Sequence, residues 1–247
     1  MWTAINVYSV RELEASTEAV VDRVADAGYD GIQFSGRHTP LDGDPGSIAR
    51  QCEKRGLDVT PPHVGMERLE EDLDTVVEVY DRFGVEAAVI PSTDDEQFAS
   101  AAAVDALAER VNALADDLAA RGWELHYHNH AHEYTDLGGE SAFDRFVDAT
   151  GVGIELDVGW ALVGGDDPAR RIRELGERAE LIHMKDMDTS VERGYVEIGD
   201  GSVDMAACAA AAADAGSEWL IYEHDMPEDP AGTIDHGAAY LNGLLDD

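Results

Sequence analysis

Residues 126–133 read His126-Tyr127-His128-Asn129-His130-Ala131-His132-Glu133, which gathers four of the chain's nine histidines and a carboxylate in one short segment. It follows a helical stretch and the turn Arg121-Gly122-Trp123, and Trp123 to His128 reads as a strand entering a loop. Alternate side chains of a strand share a face, so His126, His128 and His130 are expected to project together. Imidazoles and carboxylates converging at a strand end are the ligands a divalent cation takes. The competing reading is a solvated, His-rich loop. Three further strand-like segments weigh against it, ending in Leu156-Asp157, in His183-Met184-Lys185-Asp186 and in Glu223-His224-Asp225.

Positioning these groups requires a frame, and the pattern supplies one. Strands are expected at 3–8, 31–34, 58–60, 87–90, 124–128, 153–157, 181–184 and 219–223. Helices are expected at 16–27, 45–55, 67–83, 96–121, 140–149, 168–178, 203–215 and 232–245. Gly28, Gly56, Gly84, Gly122, Gly151 and Gly216 sit just past helical runs, where helix C-termini place glycine. Eight strand–helix units in 247 residues fit a single α/β domain, a (β/α)8 TIM barrel spanning residues 1–247. A doubly wound open sheet is the alternative, but no Gly-x-Gly-x-x-Gly follows the first strand. Active sites of such barrels lie at the C-terminal ends of the strands. Those ends carry Asn6 and Tyr8, Gln33 and Ser35, His63, the histidine cluster, Asp157, His183 with Lys185, and Glu223.

The charge balance excludes several classes of partner. There are 53 acidic residues against 17 basic ones, a formal net charge of −36, and the acids are spread through every helical segment. Among the basic residues only Lys54 and Lys185 are lysines. A hydrophobic content of 44% argues against a disordered acidic chain. A dispersed acidic surface nearly free of lysine suits concentrated salt, where screening removes self-repulsion, so a halophile's cytoplasm is the expected setting. Nucleic acid and acidic membrane surfaces are poor partners for such a surface. No long apolar run or secretory signal is apparent. Cys52 and Cys208 lack metal-type spacing and read as free thiols. A homo-oligomer is compatible with all of this.

The ordered motifs resemble the sugar phosphate isomerase/epimerase superfamily of xylose-isomerase-like barrels, nearest its inosose-dehydratase-like and sugar-isomerase branches. The resemblance is carried by Tyr127-His128-Asn129-His130-Ala131-His132-Glu133-Tyr134, Leu156-Asp157-Val158-Gly159-Trp160 and Gly165-Asp166-Asp167-Pro168. It continues through His183-Met184-Lys185-Asp186-Met187, the run Glu197 to Asp204, and Glu223-His224-Asp225. It is strongest over residues 120–225. It implies one divalent cation held from strands five to eight, with Asp157, His183 and Glu223 matching family ligands. Many relatives place a glutamate within strand five, where this chain has His126 or His128. Glu133 is taken as the first ligand, with His128 as the competing assignment. Mixed oxygen and nitrogen ligands favour Mn²⁺, with Mg²⁺, Co²⁺ or Zn²⁺ as alternatives, over a closed structural zinc site.

The expected chemistry follows. A cation chelated by a sugar's carbonyl and neighbouring hydroxyl acidifies the adjacent C–H. A carboxylate or imidazole removes the proton, with Glu133, Glu223 and His128 as candidates, and Lys185 meets the developing charge. Lys185 stands out because surface lysine has otherwise been removed. His130, Trp160, His63 and Asn6 are expected to bind substrate, a keto-sugar or polyol. A phosphate is disfavoured, since the turn Gly199-Asp200-Gly201 is flanked by acids. Reprotonation gives isomerisation or epimerisation, and expulsion of a β-hydroxyl gives an inosose-type dehydratase. An abasic-site endonuclease is a weaker reading, because Trp160 stands where that site needs histidine. A non-catalytic sugar-binding protein is the remaining alternative.

Overall fold

The computed structural model describes residues 1–246. Ten strands are present among them: β1 (Trp2–Asn6), β2 (Gly31–Gln33), β3 (Asp58–Val59), β4 (Ala87–Ile90), β5 (Glu124–His128), β6 (Gly153–Asp157), β7 (Leu181–Met184), β8 (Asp186–Met187), β9 (Tyr195–Val196) and β10 (Trp219–Tyr222). Eight of them form a parallel sheet in the order β3-β2-β1-β10-β7-β6-β5-β4. The two outer strands of that order, β3 and β4, meet as well. Pro61 and Pro62 cannot donate to a ladder, so β3 stops early, but the chain resumes pairing at His63, which bridges Val89 in parallel. Val64 N–H donates to Val89 at 2.9 Å, and Val89 N–H donates to Pro62 at 2.9 Å. The ring of strands closes, which is the (β/α)8 barrel the pattern predicts.

The helices lie outside this ring, and their starts show one use of the acidic composition. Asp44, Asp157, Asp167 and Asp204 each cap a helix by accepting a backbone N–H from its first turn. A carboxylate there satisfies an orphan donor and complements the helix dipole. All eight expected strands form, with ends shifted by at most a few residues. Three differences matter for the site. Residues Val7–Val10 turn into a 3-10 helix rather than extending the first strand. A six-residue helix, Val158–Val163, starts directly at Asp157. The segment after Lys185 forms the antiparallel hairpin β8–β9, which brings Tyr195 over the barrel mouth side that holds Trp160. Cys52 and Cys208 are free and buried. No helix among the described residues is long and apolar enough to cross a membrane.

Candidate metal centre and substrate pocket

His128, Asp157 and His183 stand at or next to the C-terminal ends of the adjacent strands β5, β6 and β7, and Glu223 follows β10 directly. One ligand atom from each lies within 4.8 Å of the others, and all four residues are buried. Each side chain is oriented by a bond of its own. Oδ1 of Asp157 accepts the Trp160 N–H at 2.7 Å, so one oxygen caps the short helix and the other faces the cluster. Nδ1 of His128 lies 3.1 Å from the Pro91 carbonyl, which only accepts. The ring proton therefore sits on Nδ1, and Nε2 presents its lone pair. Nε2 of His128 and Oδ2 of Asp157 face each other at 3.4 Å, and neither makes a hydrogen bond of good geometry.

The orientation of His183 follows from a chain of amides. Asn6 Oδ1 accepts the Tyr8 N–H at 2.8 Å, so Nδ2 is its donor end, and it donates to Gln33 Oε1 at 2.7 Å. Gln33 Nε2 then donates to the Pro61 carbonyl at 2.8 Å and to Glu155 at 2.5 Å. Nε2 of His183 lies 2.8 Å from the same Gln33 Oε1 and must supply the proton there. That leaves Nδ1 toward the cluster, 3.2 Å from Glu223 Oε2. Glu155 braces the ring from the same side, 3.1 Å from His183 Nε2 and 2.5 Å from His63 Nε2. Hydrogen bonds of this kind to the far nitrogen fix both the tautomer and the ring plane of a metal-ligating histidine.

Electrostatics favour a cation here. Lys185 Nζ lies 2.7 Å from Glu223, 2.9 Å from Asp225 and 3.1 Å from Asp157, so three carboxylates share one ammonium. Burial alone raises a carboxyl, yet Lys185 holds Asp157 below its ordinary value, and Lys185 with His183 holds Glu223 well below. Burial opposes charge on His183 too, but Glu155 and Glu223 push it up to about 10, so a cation at Nδ1 would take the place of a proton there. The donor set of two oriented imidazoles and two carboxylates, with His128 Nε2 unpartnered and Asp157 Oδ2 held only by the Lys185 ammonium, fits a divalent cation of the Mn²⁺, Co²⁺ or Zn²⁺ kind.

Above the cluster opens a cavity of about 490 Å³, lined among others by His63, His128, His130, Trp160, Tyr195 and Asp225. Burial, with the neighbouring His128 and Lys185, drives His130 down to about 2, so this ring stays neutral. Trp160 packs near His130 at 5.6 Å between centroids, and Lys185 Nζ lies 5.1 Å from the Trp160 ring centre.

Of the two residues considered for the first ligand position, the structure brings His128 to the other three, and Glu133 lies elsewhere. Glu133 sits in a 3-10 turn after the strand and is fully buried. Its carboxylate folds back to accept the His130 N–H and, at 2.9 Å, the Tyr127 hydroxyl. His126 shares the inward face of β5 but turns to the other end of the barrel, beside Glu180. His63, His130 and Trp160, expected to bind substrate, line the cavity. Asn6 is fully buried and is occupied with Gln33 and Tyr8. Glu155 belongs to none of the motifs, and Asp225 enters only within the run Glu223-His224-Asp225. Alternation would have flagged Glu155, two residues before Asp157 on the same face of β6. The turn at Gly199 and Gly201 offers no anion cradle, because both N–H groups donate to Asp186 at 2.9 Å.

A family model described as xylose isomerase-like TIM barrel matches residues 21–244. An inosose dehydratase from Geobacillus kaustophilus is 23% identical over 256 residues, covering 87% of this chain and 81% of that protein. A sugar phosphate isomerase/epimerase from Parabacteroides distasonis superposes with a TM-score of 0.81 at 21% identity, covering 97% and 93% of the two chains. An L-ribulose 3-epimerase superposes with a TM-score of 0.70 at 18% identity, covering 99% and 94%.

Proposed function

The chain belongs to the family of xylose isomerase-like TIM barrels, and from that premise we propose that it is a divalent-metal-dependent isomerase or epimerase of an uncharged keto-sugar or a polyol that carries a carbonyl. The observation that carries this reading is the buried group His128, Asp157, His183 and Glu223 at the floor of the cavity, with Lys185 set among its carboxylates. These four residues would hold the ion, and a cation bound there polarises a chelated carbonyl and hydroxyl so that the adjacent C–H becomes acidic.

The remaining work falls to the protein. Glu223 is an ionised carboxylate at the cavity floor and is assigned the proton abstraction. The Lys185 ammonium meets negative charge as it moves onto the substrate oxygen. Neutral His130 and His63 are suited to hydrogen-bonding hydroxyl groups, and Trp160 offers an apolar face to the sugar ring. Asp225 is a second carboxyl on the cavity, raised from its ordinary value by burial. With its Lys185 contact at 2.9 Å, it is assigned the exchange of a proton on the side of the substrate away from Glu223.

The inosose dehydratase relative favours a second reading, dehydration of a keto-inositol. The two share the first proton abstraction and part at the next step. In epimerisation the proton returns to carbon, whereas in dehydration it goes to a departing hydroxyl. Product analysis separates them: ketoses and keto-inositols are incubated with Mn²⁺-loaded protein at high salt. An isomer of unchanged mass supports the first reading, and loss of water supports the second. No conversion of any member of either class would contradict both.

A further inference from the structure

The opposite end of the barrel carries a second group of ligand-type side chains. His126 is 2% exposed, and neither of its ring nitrogens has a hydrogen-bond partner. Buried polar atoms left in that state are rare and costly. Its Nε2 lies 3.8 Å from Glu180 Oε2. One ligand atom each from Glu124, His126 and Glu180 lies within 4.8 Å of the others. The intervening strand makes room for this arrangement. His126 is in register with Gly153 of β6, and a Cβ at Gly153 would collide with the imidazole. Glycine there lets the ring of a β5 residue reach toward the start of β7.

All three residues line a cavity of about 460 Å³ at the N-terminal ends of the strands, whose walls also include Asp58, Glu86 and Glu218. Five carboxylates thus surround it, and no lysine or arginine lines it among the described residues. Burial raises the Glu180 carboxyl, and repulsion from Glu218 and Glu124 adds to the rise. The site lacks the positive charge its acids call for, and it contains a buried imidazole with nothing to bond.

We propose that His126, Glu180 and Glu124 form a second divalent-cation site, structural in role, that ties β5 to the approach of β7 across β6. One imidazole with two carboxylates selects an ion that accepts nitrogen as well as oxygen, such as Mn²⁺, Co²⁺ or Zn²⁺, over Mg²⁺ or Ca²⁺. The site faces away from the substrate cavity and does not depend on the function proposed above.

The test uses metal-stripped, full-length protein and Mn²⁺ as probe, by equilibrium dialysis in molar KCl so that loosely held counterions are screened. Asp157→Asn disables the upper cluster and leaves the lower one to be read alone. Glu180→Gln removes a lower ligand at a partly exposed position where the fold tolerates it. The wild type should hold two ions per chain, Asp157→Asn one, and the double variant none. Electron spin-echo spectroscopy of Mn²⁺ in Asp157→Asn should show coupling to a single imidazole nitrogen. Added Mn²⁺ should raise the melting temperature of Asp157→Asn and leave that of the double variant unchanged. An Asp157→Asn protein that binds no Mn²⁺, or binds it equally well with Glu180 replaced, would overturn the proposal and leave His126 a core histidine.

Discussion

Asn129 and Asp157 hold each other by two backbone-directed hydrogen bonds. Asn129 Oδ1 accepts the Asp157 N–H at 2.9 Å, and Asn129 Nδ2 donates to the Asp157 carbonyl at 3.2 Å. The pair joins the loop after β5 to the end of β6 and sets the height at which the Asp157 carboxylate enters the cluster. Asn129→Ala removes both of these buried bonds, which is expected to cost about 1–3 kcal/mol. Because the loss also frees Asp157 to shift, affinity for Mn²⁺ should fall about 10–100-fold, the scale seen when a ligand's supporting bond is removed. Denaturant melts and metal titration check the two effects separately.

Glu133 should make stability depend on pH in a direction opposite to most carboxylates. Burial, opposed by the bonds from His130 and Tyr127, raises it from the ordinary 4.5 to about 8. The folded side chain keeps its proton between those values while the unfolded one has lost it. The folded state therefore binds more protons, and this contribution to stability declines as pH rises from 4.5 to about 8. Glu133→Gln mimics the neutral form and should flatten that decline while keeping the fold. A variant whose melting temperature tracks the wild type across the whole window would refute the assignment.

Lys185 is proposed to act on charge that develops during the reaction, so its value should be greater in the transition state than in the ground state. Lys185→Met keeps most of the stem and removes the ammonium. Turnover should fall on the order of a hundredfold or more, with substrate affinity changed only a few-fold. Metal should remain bound, since the loss leaves Asp157 and Glu223 without a competing cation. Lys54→Met is the control and should have almost no effect. Loss of metal in Lys185→Met would show that the lysine organises the cluster rather than the chemistry.

Salt should be required for stability. With a formal charge of −36, the folded surface repels itself when ions are withdrawn. The screening length grows from about 3 Å at 1 M to about 30 Å at 0.01 M. The melting temperature should fall steadily over that range, and a salt-independent value would mean the acidic surface has no net effect on folding.

Much of the frame was legible because alternating apolar runs and helix punctuation are local signals. Asp157, His183 and Glu223 could be found because each falls at the end of a recognisable strand. The choice between His128 and Glu133 was not legible. It depends on where β5 stops and on the 3-10 turn that folds Glu133 back onto the His130 N–H, a contact made within the loop itself. The helix Val158–Val163 is too short for periodicity to reveal. The bracing of His183 by Gln33 joins β7 to β2, strands far apart in sequence that only the curled barrel brings together, while Glu155 comes from the neighbouring strand β6.

The measurement that tests the proposed function most directly is solvent-deuterium incorporation, followed by NMR, into keto-sugars and keto-inositols at high salt. With Mn²⁺ present, deuterium should appear at a carbon next to the carbonyl, whatever the final product, and Asp157→Ala or removal of the metal should abolish it. Exchange that proceeds equally without metal and in Asp157→Ala, or turnover of a sugar with no exchange at all, would contradict the account.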